Sequence, residues 1–152
     1  MQLTRFSDYS LRVLIFLAHR NGAHTTIKEV SDAHRISENH LMKVVNSLAK
    51  RGYVKTVRGK GGGIGLARAP GDISVGKVVR DVEPLVPVEC FEPDYDGSCE
   101  LYPNCRLRGV LRSAQSRFLE TLDTCTIGDV MGQSRPAIQA VKPPIRRRAV
   151  RR

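Results

Sequence analysis

Between Thr26 and Gly52 the chain sets two helix starts and one helix stop so close together that only a short helix, a tight turn and a second helix fit. Thr26-Ile27-Lys28-Glu29 has the form of a capping box, in which the hydroxyl accepts a first-turn N–H and the glutamate reaches back to the cap. It predicts a short helix to about His34, a tight connection over 33–36 and a second start at Ser37, with Gly52 suited to the position after the stop. In the second helix Leu41, Val44, Val45 and Leu48 share one face, which leaves Asn39, His40, Lys43, Asn46, Ser47 and Lys50 on the others. Two helices joined in this way, the second polar and basic on its free face, are what a helix-turn-helix requires.

The flanks extend that unit. Leu3, Phe6, Leu11, Leu14, Ile15 and Ala18 recur at helical intervals and predict a preceding helix over 3–18, stopped at Asn21-Gly22. Downstream, Tyr53 to Val57 alternates like a strand, Arg58-Gly59-Lys60-Gly61-Gly62-Gly63 is a turn, and Ile64 to Ala67 returns. This is a β-hairpin wing with Arg58 and Lys60 at its tip. Its glycines fit neither G-x-x-x-x-G-K-[ST] nor G-x-G-x-x-G, and they lie between strands rather than before a helix, which argues against a nucleotide-phosphate loop. A short helix over Val75 to Val82 follows before Pro84 and Pro87 stop regular structure. The expected fold is mainly α with a small β-hairpin wing: a winged helix-turn-helix domain over 1–84 and a long C-terminal helix.

Charge is unevenly spread. Residues 1–69 hold twelve Lys/Arg against four acids, residues 70–141 seven against eleven, and residues 142–152 six against none. A basic first half suggests phosphate contacts rather than an acidic small substrate. The longest uninterrupted apolar run, Val13 to Ala18, is far short of the roughly twenty residues that span a bilayer, and no segment has the form of a signal peptide. The expectation is a cytoplasmic protein with no membrane partner, in a compartment where clustered thiols favour metal over disulfide.

From Arg106 the apolar positions Leu107, Leu111, Ala114, Phe118, Leu122 and Cys125 form a long stripe, assigned to a dimerisation helix over 106–131 with Thr126 able to cap a final short turn. Little sequence remains to cover such a stripe, and the same helix of a second subunit is the simplest partner. Residues 132–152 read as a basic, disordered tail.

Three cysteines, Cys90, Cys99 and Cys105, lie in the acidic segment 85–105. Cys125 is set apart, since a helix of twenty residues would put it about 30 Å from Cys105. Structural zinc sites usually draw paired ligands from one tight turn, whereas here every gap is wide, which suits an iron-sulfur cluster whose irons are separate ligand positions. Zinc and uncommitted thiols remain open on spacing alone. Three thiolates would leave one iron of a 4Fe-4S cluster to a carboxylate, a histidine or a small molecule.

These residues together resemble the Rrf-type family of bacterial winged-helix regulators, which hold iron-sulfur clusters. The resemblance spans residues 1 to about 131. It is carried by Met1-Gln2-Leu3-Thr4 with Asp8-Tyr9 and Leu11-Arg12, by Ser37 to Asn46, by Gly52-Tyr53-Val54 through Val57 to Lys60, by Val78 to Leu85, and by the three cysteines. It is best to the nitric-oxide-sensing branch. That resemblance implies that Cys90, Cys99 and Cys105 hold a 4Fe-4S cluster, that Asp8 from the partner subunit supplies the fourth ligand, and that nitric oxide, by destroying the cluster, releases a homodimer from operator DNA. The gap between Cys90 and Cys99 holds eight residues, against the family's usual five, and a long first gap also looks like the iron-responsive branch. The branch with a 2Fe-2S cluster carries a histidine shortly after the third cysteine, where this chain has Arg106-Leu107-Arg108.

The expected function is therefore a DNA-binding transcriptional repressor and not an enzyme, since no flavin, nicotinamide or substrate motif is present. Residues from Ser37 to Arg51 would enter the major groove of double-stranded operator DNA, with Asn39, His40 and Lys43 nearest base edges and Arg58 and Lys60 on phosphate or the minor groove. An iron-availability regulator and a zinc-dependent DNA-binding module are the alternatives.

Overall fold

A computed structural model describes residues 2–59, 61–102 and 104–131. Lys60 and the basic tail 132–152 lie outside the described residues. The chain runs α1 (Arg5–His19), α2 (Ile27–His34), α3 (Glu38–Lys50), β1 (Val54–Val57), β2 (Gly63–Leu66), α4 (Val75–Val82), α5 (Arg106–Asp123) and α6 (Ile127–Val130). The fold is mainly α with one antiparallel hairpin, as the sequence predicts.

Each helix of the DNA-binding half begins at a side-chain cap. Thr4 accepts from Ser7 N at 3.3 Å, Thr26 from Glu29 N at 3.2 Å while Glu29 Oε2 accepts from Thr26 N at 2.7 Å, and Ser37 from His40 N at 3.4 Å. Such a cap stabilises a helix by about 1 kcal/mol. The turn between α2 and α3 is sharp because Arg35 takes the left-handed conformation at φ +55°, where its own N–H still reaches Ser31 O. Gly52, at φ +73°, ends α3 and sends the chain into β1.

Strands β1 and β2 pair in register from Val54↔Leu66 to Val57↔Gly63. A further bridge joins β2 to the α1–α2 connection: Ile64 N donates to Thr25 O at 2.7 Å and Thr25 N to Ile64 O at 3.0 Å. Leu14, Phe16, Leu41, Leu48, Tyr53, Ile73, Val78 and Ile127 are fully buried between these elements. Each such side chain contributes about 1.5–3 kcal/mol relative to exposure.

The long helix is shorter than the apolar stripe predicts. It ends at Asp123, and Cys125 sits in a break whose cause is Thr126, which starts α6 with its own capping box to Asp129. The break is also fixed from outside, by Val75 N donating to Cys125 O at 2.9 Å and Ile127 N to Ile73 O at 2.8 Å.

α4 joins the parts. Its Asp81 accepts from Tyr53 Oη at 2.6 Å and, through its carbonyl, from Arg51 Nε at 2.8 Å. Arg80 forms a two-pronged ion pair with Asp123 of α5, with Nη2 to Oδ2 at 2.6 Å. Just past α4, Glu83 Oε2 accepts from Thr4 N at 3.0 Å, from Thr4 Oγ1 at 2.9 Å and from Ser7 Oγ, so the carboxylate pins the start of α1 to the mouth of the cysteine segment.

Candidate DNA interface and cysteine site

The predicted DNA-reading residues that the structure describes are all exposed. Ser37, Asn39, His40 and Lys43 are all exposed on the first half of α3, and Arg58 is exposed at the end of β1. The Ser37 hydroxyl is already engaged as the cap of α3. The His40 ring lies against Tyr9 with centroids 6.4 Å apart, beside an opening of about 230 Å³ lined by Arg5, Phe6, Tyr9, His40, Lys43 and Val44. Arg5 is a cation on this surface that the sequence reading missed. No pattern in the sequence marks it, and a positive charge in a first helical turn opposes the macrodipole.

Asp8 projects from the first turn of α1 with its side chain 43% exposed. Its Oδ1 accepts from Arg12 Nε at 2.8 Å, and that hydrogen bond, opposed in part by burial, raises the Arg12 pKa. Near it, His34 at the end of α2 is held below its ordinary value, first by burial and then by the positive charge of Arg12, against the pull of Asp8. Among the described residues its buried Nε2 has no partner, and its ring meets Phe16 edge-on at 5.6 Å.

The three cysteines of the 85–105 segment are free thiols. Cys90 and Cys99 face one cavity of about 410 Å³, shared with Val88, Glu89 and Tyr95. Cys105 is the N-cap of α5, where its sulfur accepts from Arg108 N at 3.4 Å. Among the described residues no three Cys, His, Asp or Glu side chains come together closely enough to hold a single metal ion. The donor set still fits a cluster larger than one ion: three unpaired thiols, two around a common cavity and the third at the helix that follows. Cys125 stands apart, packed against the core of the winged domain.

The segment is tied down at its entrance, where Leu85 adopts φ +56° and its carbonyl accepts from Gln115 Nε2 of α5 at 2.5 Å. Next to that anchor, α5 leaves apolar surface uncovered. Leu107 and Val110 are 61% and 64% exposed, and an opening of about 400 Å³ is lined by Val86, Pro87, Leu111, Ala114 and Phe118 with Gln2 and Gln115. Only Leu119 of this helix is buried, against the chain's own domain. No described helix is long and apolar enough to cross a membrane.

Comparison with known proteins agrees with this architecture. Residues 3–133 match the Rrf2 family, described as an iron-dependent transcriptional regulator. The HTH-type transcriptional regulator NsrR of Bacillus licheniformis is 47% identical over 133 residues, covering 86% of this chain and 92% of that protein. Among solved structures, CymR, the global cysteine regulator of B. subtilis, superposes with a TM-score of 0.67 at 28% identity, covering 86% of this chain and 96% of that one. IscR of T. potens gives a TM-score of 0.67 at 26% identity, covering 86% of each chain.

Proposed function

The chain belongs to the Rrf2 family of iron-dependent transcriptional regulators, and from that premise we propose that it is a homodimeric repressor whose grip on operator DNA is set by a 4Fe-4S cluster that responds to nitric oxide. It is a DNA-binding regulator and not an enzyme. The observation that carries the finer reading is where the free thiols lie: in the one segment that joins α4, which is bonded to α3, β1 and α5, to the long helix with the uncovered apolar face. The likeness to the NsrR of B. licheniformis supports nitric oxide as the signal.

In this reading Cys90, Cys99 and Cys105 hold the cluster, and Asp8 of the partner subunit completes it. When bound, such a cluster would supply a centre that nitric oxide or iron loss can dismantle. The chain's own residues do the rest. The stripe Leu111, Ala114 and Phe118, with Leu107 and Val110 beside it, meets its copy in the second subunit, as an apolar face of that size requires. Asn39, His40 and Lys43 read base edges while Arg58 and Lys60 hold phosphate or the minor groove, and two such sets read the two halves of a pseudo-palindrome. Glu83 links the mouth of the cysteine segment to α1, and Asp81 of α4 bonds Arg51 at the end of α3, so a change of order in that segment alters the spacing of the two reading helices.

The eight-residue gap between Cys90 and Cys99 favours a second reading, in which iron availability is the signal. Both are tested on anaerobically purified protein by iron and sulfide content, the visible spectrum, and operator release followed separately under nitric oxide and under chelator. Release by nitric oxide at low equivalents with slow response to chelator supports the first reading, and the reverse supports the second. A colourless, zinc-bound protein with full operator binding overturns both.

A further inference from the structure

We propose that Arg108 is the positioning residue of the cysteine segment: from the first turn of α5 its side chain holds Cys90 and the aromatic rings that lead to Cys99, and its backbone N–H meets Cys105, before any cofactor arrives. The inference rests on the reading of Cys90, Cys99 and Cys105 as cluster ligands, but its observations concern the protein alone. Arg108 N donates to Cys105 Sγ at 3.4 Å, and Arg108 Nε donates to the Cys90 carbonyl at 3.2 Å. One residue therefore ties the first and last cysteines to the same helical turn. Its guanidinium also lies over two rings of the segment, 5.7 Å from the centroid of Phe91 and 5.1 Å from that of Tyr102.

Cys99 is reached through those rings. Tyr102 meets Tyr95 edge-on at 5.3 Å, Tyr95 Oη accepts from Cys99 N at 2.7 Å, and Tyr102 N donates to the Cys99 carbonyl at 2.9 Å. The path from Arg108 to Cys99 thus runs through stacking and backbone hydrogen bonds. It gives a physical meaning to the enlarged first gap. Phe91 opens that gap under the guanidinium and Tyr95 lies within it against Tyr102, so the gap carries aromatic contacts of its own.

Ordering such a segment costs about 1–2 kcal/mol per residue in backbone entropy. Contacts formed beforehand offset that cost, which is how preorganised sites gain affinity. Arg suits the role where Lys does not: a planar fork stacks on rings and donates in a fixed direction.

The test uses the full chain in two states. In the metal-free protein, alkylation by iodoacetamide is followed at each cysteine by mass spectrometry, with Cys125 as the internal reference because it packs on a different part of the chain. Arg108→Gln is expected to speed alkylation of the half-buried Cys90, Tyr95→Phe that of Cys99, and neither that of Cys125. In protein reconstituted anaerobically with iron and sulfide, Arg108→Gln is expected to shorten cluster lifetime under chelator by about 10–100-fold, as loss of an outer-shell partner does at other metal sites, with Arg108→Lys in between. Unchanged alkylation in both variants, together with wild-type cluster lifetime, overturns the proposal. If wild-type protein takes up no iron, the cluster reading fails, and the alkylation pattern alone decides whether Arg108 orders the segment.

Discussion

Gly76 and Asp123 touch so closely that no β-carbon fits between them: one built on Gly76 would lie 2.8 Å from the backbone nitrogen of Asp123 and against its carboxylate. This is a close contact in the seam between α4 and α5, and the Arg80–Asp123 ion pair closes it one helical turn further on. Gly76→Ala is therefore expected to destabilise the protein by about 1–3 kcal/mol, the range for overpacking a rigid contact, against the small gain in helix propensity that alanine would bring elsewhere. Chemical denaturation of metal-free protein measures it. A variant as stable as wild type would mean that the seam opens readily and cannot hold the segment between its two helices.

The DNA-binding half was legible because its instructions are local. Thr26 and Ser37 announce helices within four residues of themselves, and Gly52 marks its own left-handed stop. The end of α5 was less so: the apolar period runs on through Cys125, while a capping box at Thr126 and backbone bonds from Val75 and Ile127 break the helix before it. The contacts that would make the cysteine segment work are long-range. Glu83 reaches Thr4 and Ser7 across most of the winged domain, and Arg108 reaches back to Cys90 and Phe91. No periodicity or motif encodes such meetings, because they depend on how finished elements pack. Arg5 and Gly76 were invisible for the same reason.

The exposed cations and amides of the reading surface should separate into two kinds. Arg58→Ala is expected to weaken binding to all duplexes alike and to lower the salt slope by about 1, as loss of a phosphate contact does. Asn39→Ala is expected to cost about 1–3 kcal/mol on the operator and little on unrelated DNA, as loss of a base-edge contact does. Anisotropy titrations at several salt concentrations distinguish them. Equal effects of Asn39→Ala on both duplexes would remove it from the base-reading set.

His34 predicts a pH dependence. Burial and the neighbouring Arg12 charge, opposed by Asp8, hold its imidazole below the ordinary value of 6.5. As pH falls the unfolded chain takes up that proton first, so the stabilising contribution is complete above 6.5 and is lost as pH drops toward the folded-state value. His34→Leu, which keeps an apolar contact to Phe16, should flatten the fall in melting temperature between about pH 7.5 and 5.5, where an ordinary histidine titrates. An unchanged slope would mean that other groups set it.

The carboxylate of Asp8, bonded among the described residues to Arg12 of its own helix, gives the trans-ligand reading a decisive form. Consider a mixed dimer of one Asp8→Ala subunit and one Cys99→Ser subunit, purified through two different tags. If Asp8 serves the partner, the first subunit's three cysteines face an intact Asp8 from the second, and one complete site remains. If Asp8 serves its own subunit, both sites lack a ligand. The mixed dimer should therefore hold about half the iron and sulfide of wild type, while each variant homodimer loses its cluster readily to chelator, since removing one ligand of a site costs much of its affinity. Iron content and the visible spectrum of the three preparations, measured side by side under anaerobic conditions, decide it. A mixed dimer no better loaded than its two parents would return Asp8 to its local role, as the partner of Arg12 near the start of α1.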